Sequence, residues 1–151
     1  MSDGAASQAL PPERIEELRA RAARARFAQT LGGLELLNVY HGRARMALRV
    51  DSRLHQDGGV VQGGIVASLA DSSMAFAVMS VTEPHEPAVS IEMNINWLAP
   101  VREGEVVAEG RVIHKGSRTL LCESEVRNSS GKLVAKATAT FIRPGHKASK
   151  S

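Results

Sequence analysis

The sequence predicts an α+β fold, an antiparallel sheet wrapped around one long central helix, and three observations carry that expectation. A strongly apolar stretch of helical length, GGIVASLADSSMAFAVMS over residues 63–80, lies in the middle of the chain. The segment AVSIEMNINWLAP (88–100) alternates apolar and polar residues with a period of two. Residues 105–143 then read as three strands joined by tight turns at KGS and NSSG, with no helical segment between them. Strands gathered mostly after one helix, without strand–helix alternation, argue for an antiparallel sheet. A length of 151 residues with 43% hydrophobic content suits one ordinary domain with its own core.

Taken in order, residues 1–10 are mostly small and polar and are expected to be disordered, as is the basic tail at 145–151, which leaves a single domain at 11–144. Residues 10–33 read as an additional N-terminal helix. Pro11 and Pro12 open it, Glu13 sits in its first turn, Ile15, Leu18, Ala22 and Ala25 recur at helical spacing, and Gly32 and Gly33 close it. Residues 34–50 form two short strands around Gly42, with Ala44, Met46, Leu48 and Val50 on one face of the second. Gly63 and Gly64 start the central helix. In the strand after it, Val89, Ile91, Met93, Ile95 and Trp97 are expected on the core face, and Ser90, Glu92, Asn94 and Asn96 on the polar face. Trp97 and Cys122 read as core packing, with a wall of a ligand pocket as the second reading of Trp97. The predicted order is helix, two strands, central helix, four strands.

Composition excludes several functions. The net charge of +3 comes from scattered residues, and an aromatic content of 3% is low for stacking on nucleic acid, so no nucleic-acid partner is expected. The longest apolar run is interrupted by Ser68, Asp71, Ser72, Ser73 and Ser80 and falls short of the roughly 20 apolar residues of a membrane span, so no membrane association is expected. One cysteine allows no internal disulfide, and no signal peptide is evident, which points to the cytoplasm. The histidines at 41, 55, 85, 114 and 146 show no HxxxH or HExxH spacing, and no metal site is expected.

The residue that stands out is Asp71. It lies on a narrow face of the central helix among mostly small neighbours, Gly64, Ala67, Ser68, Met74, Ala75 and Val78, where another backbone or a ligand could approach. An ionised carboxylate losing water without partners costs several kcal/mol, so its place in an apolar helix needs compensation, and a functional carboxylate is one sufficient reason. Gly63, at the helix N-terminus, presents an unpaired N–H aided by the helix dipole, which is the outline of an oxyanion site. Eight residues of helix separate the two by about 12 Å, whereas reacting groups must converge within about 3–3.5 Å. Two copies pairing their central helices antiparallel about a two-fold axis would bring Asp71 of one to Gly63 of the other.

The stretches QGGIVASLAD, VSIEMNINWLAP and GRVIHKGSRTL together resemble the hotdog-fold acyl-CoA thioesterases of the phenylacetate-degradation (PaaI-like) group, which includes 4-hydroxybenzoyl-CoA thioesterases. That family's pattern is HGG, six residues, then Asp or Glu. The resemblance implies that Asp71 is the catalytic carboxylate, as general base or nucleophile, and that the Gly63 amide polarises the thioester carbonyl. It implies an active-site amide at Gln56, a water-orienting hydroxyl at Ser90, and substrate contacts at Gln62 and Gly64. Lys115 and Arg118 would meet the phosphates of coenzyme A, with Arg102 a weaker candidate. The family's histidine is Gln62 here, which can hydrogen-bond but cannot titrate, so an acid–base role at that position is lost. No cofactor is implied beyond the coenzyme A of an aryl- or short- to medium-chain acyl-CoA substrate. The implied assembly is a homodimer with shared active sites, paired again into a tetramer. The alternative function on the same fold is a non-catalytic acyl-CoA sensor or carrier.

Overall fold

A computed structural model describes residues 8–144. The expected basic tail and most of the expected disordered start lie outside them. Of the residues 8–10 that are described, Gln8 accepts a hydrogen bond from the His41 N–H at 3.0 Å and Leu10 packs against the core. The elements are α1 (Pro12–Arg24), α2 (Arg26–Thr30), β1 (Leu34–Tyr40), β2 (Arg43–Arg49), α3 (Gly63–Met79), β3 (Val89–Trp97), β4 (Glu105–Lys115), β5 (Thr119–Asn128) and β6 (Leu133–Ile142). All six strands form one antiparallel sheet in the order β1-β2-β4-β5-β6-β3. The expected N-terminal helix is interrupted: Ala25 leaves helical geometry at ψ 108°, and the chain restarts as α2, which buries Ala28 and Leu31.

The sheet wraps α3, and this is why that helix is apolar almost all round. Val66, Leu69, Ala70, Met74, Phe76, Ala77, Val78 and Met79 are all buried. Helix and sheet meet most closely at Gly110 on β4, where an added Cβ would lie 2.4 Å from the Ser73 carbonyl carbon, so no side chain fits. Beside that contact Ser73 Oγ donates to the Ala70 carbonyl at 2.8 Å and lies 2.8 Å from Ser124 Oγ of β5, so two buried hydroxyls satisfy each other and fix α3 on the sheet.

The segment from α3 to β3 is clamped from two sides. The Arg14 guanidinium of α1 donates to the carbonyls of Met79 and Thr82, and the nearly buried Arg143 makes a two-pronged bond with Glu86 at 2.8 and 3.0 Å. Fork-to-fork pairing of this kind adds geometric definition as well as energy, and it fixes where β3 begins.

The structure corrects the expectation that β3 carries a core face along its whole length. Val89, Ile91 and Trp97 are 43%, 58% and 53% exposed, and only Met93 and Ile95 are partly covered. The cause is position. β3 is the last strand of the sheet, and no further strand among the described residues lies beyond it.

A candidate active site split between two ends of one strand

α3 begins on a braced loop. Gln56 N–H donates to the Val60 carbonyl and Gly59 N–H to the Gln56 carbonyl, with Gly59 at φ +71°, in the left-handed region that glycine enters freely. His55 Nε2–H donates to the Arg102 carbonyl at 2.7 Å, while the Arg102 guanidinium reaches the Gly59 carbonyl at 3.4 Å. Arg102 is thus a support of this loop in the structure. Gln62 occupies the N-cap position with its side chain exposed and making no capping bond. The N–H groups of Gly63 and Gly64 have no acceptor among the described residues, as the first turn of a helix leaves them.

Trp97, at the far end of β3, lies against Gly63. Its Nε1–H donates to the Gly63 carbonyl at 3.0 Å. A Cβ on Gly63 would stand 3.2 Å from indole Cε2 and Nε1, a separation tighter than side chains normally reach. The expectation that Trp97 is core is therefore corrected: the ring is half exposed and covers the helix start from outside. Gln56 lines the same place, a cleft that also includes Val60, Val66, Leu98 and Pro100.

The other end of β3 belongs to Asp71. Its carboxylate is part-buried, and Oδ1 is buried without a hydrogen-bond partner among the described residues. Burial raises its pKa above the ordinary aspartate value, and a hydrogen bond with the Ser90 hydroxyl works in the opposite direction. Ser90 reaches Asp71 because of a β-bulge. Ser90 pairs with Phe141 and Glu92 with Thr140, so Ile91 is the extra residue. The bulge puts Ser90 on the inner face with Met93 and Ile95, not on the polar face that strict alternation predicts. Re-aiming one side chain is what bulges beside functional sites commonly do. Neither the bulge nor the Trp97–Gly63 contact has a signal in the alternation pattern.

Within one chain the structure thus brings together Asp71 with Ser90, and Gly63 with Gln56 and Trp97, as two separate groups. Lys115 and Arg118 do not meet. The Lys115 ammonium donates to the Val81 carbonyl and borders a groove with His41, Arg43, Arg111 and His114. Arg118 lies outside that groove and takes the Arg143 N–H on its carbonyl at 2.9 Å. Among the described residues no cluster of His, Cys, Asp and Glu could hold a metal ion, and no helix is long and apolar enough to cross a membrane.

Residues 58–135 match the family model of the thioesterase superfamily. The chain belongs to that superfamily. Over 109 residues this thioesterase is 31% identical to 1,4-dihydroxy-2-naphthoyl-CoA hydrolase of Listeria monocytogenes, a match covering 72% of this chain and 89% of that one. It is 28% identical over 127 residues to human acyl-coenzyme A thioesterase 13, covering 83% and 90% of the two chains. The structure of the E. coli PaaI protein from the phenylacetic acid degradation operon superposes with a TM-score of 0.79 at 25% identity, over 87% of this chain and 94% of that one. The fold of this thioesterase is the hotdog fold, and the protein is a hydrolase.

Proposed function

We propose that the protein hydrolyses the thioester of an aryl- or short- to medium-chain acyl-CoA, at sites shared between two copies of the chain. The observation that carries this reading is that the two half-sites lie at opposite ends of one unpaired edge strand. Ser90 and Trp97 are seven residues apart, about 23 Å along a strand, too far to serve one substrate within a chain. Antiparallel pairing of β3 with its counterpart, about a two-fold axis near Met93 and Asn94, would lay the Asp71–Ser90 end of one copy beside the Gly63–Trp97 end of the other. It would also cover Val89 and Ile91 and pair an open strand edge.

At such a site the Gly63 N–H takes the thioester carbonyl oxygen as it gains negative charge, a contribution of about 2.7–4 kcal/mol for one such donor. Asp71 of the partner subunit either accepts a proton from water as the oxygen attacks the carbonyl carbon, or attacks directly to form an anhydride that water then cleaves. In both routes the C–S bond breaks, the thiolate of coenzyme A leaves and takes up a proton, and the acyl group departs as a carboxylate. Ser90 orients Asp71 and the water, the Gln56 amide supports the carbonyl side, and Gln62 and Gly64 border the acyl-CoA. Lys115 and Arg118 receive its phosphates, Lys115 with Arg43 beside it. The dimer pairs again into a tetramer.

The test is turnover of aryl, short, medium and long acyl-CoAs by the wild type and by Asp71→Asn. The variant is expected to lose roughly 10²- to 10⁴-fold in kcat on every substrate that the wild type cleaves. Equal rates for the two proteins would overturn the assignment, and saturable acyl-CoA binding with no turnover by the wild type would establish the carrier reading in its place.

A further inference from the structure

Trp97 is the one tryptophan of the chain, and it is half exposed although its ring could bury a large apolar area. Two contacts explain where it stands. The indole N–H holds the Gly63 carbonyl, and the ring lies 3.2 Å from where a Cβ on residue 63 would stand. Gly63 does not adopt a positive φ, so backbone conformation does not demand glycine there, and a side chain would instead make the indole give by a few tenths of an ångström. The ring also walls a cleft of about 340 Å³ with Val60, Val66, Leu98 and Pro100, in which the Gln56 amide supplies polarity. That volume is at the low end of the roughly 300–1,000 Å³ typical of small-molecule sites. The cleft takes in Gly63 and residues 98–101, just past the end of β3, and Asp71 of the same chain is not among the residues that line it.

We infer that Trp97 is the specificity-determining and positioning residue of this thioesterase: its ring walls a compact cleft that takes the acyl group, and its N–H holds the carbonyl of Gly63, the residue whose own N–H faces the thioester carbonyl. The inference rests on the acyl-CoA reading and narrows it to a compact aryl or short acyl group, since a fatty chain would meet the indole. One ring then couples the size of the acyl group to the aim of the oxyanion donor, because an acyl group that displaces the ring also loosens Gly63.

The experiment uses the full chain as wild type, Trp97→Phe and Trp97→Ala, with kcat and KM measured for acetyl-, hexanoyl-, benzoyl- and palmitoyl-CoA. Trp97→Ala is expected to shift kcat/KM toward the palmitoyl thioester, relative to benzoyl, by about tenfold or more. Trp97→Phe, which keeps a ring and loses the N–H, is expected to retain the order of substrates while kcat falls about two- to tenfold at unchanged KM. Wild-type substrate order in Trp97→Ala, together with unchanged kcat in Trp97→Phe, would overturn the inference. A second measurement needs no variant. The emission of the sole tryptophan should shift saturably with S-hexyl-coenzyme A, a thioether that cannot be hydrolysed, and not with free coenzyme A. An emission shift without turnover of any thioester would sink the catalytic reading and leave the cleft standing. Turnover with no emission shift would sink the cleft and leave catalysis standing.

Discussion

Along β1 three of seven residues are buried and α1 lies against the strand, whereas along β3, at the other edge of the same sheet, none of the nine residues is buried and seven are exposed. The two edges face the same physical problem, a row of unpaired backbone groups that invites another strand. At β1 the N-terminal helix packs against the strand. At β3 the exposed residues include Val89, Ile91 and Trp97, and the two half-sites hang from the ends of the strand. What the difference teaches is that an edge left open and apolar is where a second strand can pair, and on the proposed function that partner completes the site.

The largest expected effect comes from spoiling only one of these edges. Ile91→Lys puts a charge on the bulge of β3 at a position 58% exposed in the single chain, so the fold should survive while pairing does not. Sedimentation should report a monomer, and turnover should vanish. Tyr40→Lys, at a comparably open position on β1, should change neither measurement. A monomeric and fully active Ile91→Lys protein would break the comparison.

Smaller effects separate glycines that serve packing from glycines that serve the site. Gly110→Ala must push a methyl group into the Ser73 backbone, and overpacking of this kind costs typically 1–3 kcal/mol, read as a lower denaturation midpoint. Gly64→Ala meets nothing within 4 Å and should cost no stability, with up to about 1 kcal/mol gained from helix propensity, read in the same titration.

The smallest effect concerns pH. Because the folded protein holds Asp71 at a raised pKa, the native state binds more protons than the unfolded one between the two pKa values, and stability falls as pH rises through that interval. Asp71→Asn should therefore melt higher than the wild type at neutral pH, with the gap closing as pH drops below the raised value. The acid limb of turnover should likewise lie above the ordinary aspartate range. An Asp71→Asn protein less stable than wild type at neutral pH would show that the carboxylate is satisfied in the fold and not held ready for a substrate.

Most of the architecture was legible before the structure, because periodicity reports which face of an element is covered. The six strands, the central helix and the sheet around it follow from alternation in 34–50 and 88–100, the turns after residue 105 and the apolar run at 63–80. Asp71 stands out in the sequence as a carboxylate in an apolar helix, and the structure places it part-buried with one oxygen unpartnered among the described residues. Three features were not legible. The break at Ala25 has no proline or glycine to mark it, the bulge at Ile91 leaves the apolar–polar rhythm intact while moving Ser90 to the other face, and Trp97 looks like core because alternation cannot tell a covered face from one still waiting for a partner.

The central claim, that each site takes Asp71 from one copy and Gly63 from the other, has a direct measurement. Asp71→Asn and Gly63→Pro proteins, each inactive alone, are unfolded together in equal amounts, refolded, and assayed against acyl-CoA after mixed dimers are verified by differential tagging. Half of randomly paired dimers are mixed, and each mixed dimer holds one intact site out of two, so about one quarter of wild-type activity should return. No activity above that of the separate variants, with mixed dimers present, would contradict the account.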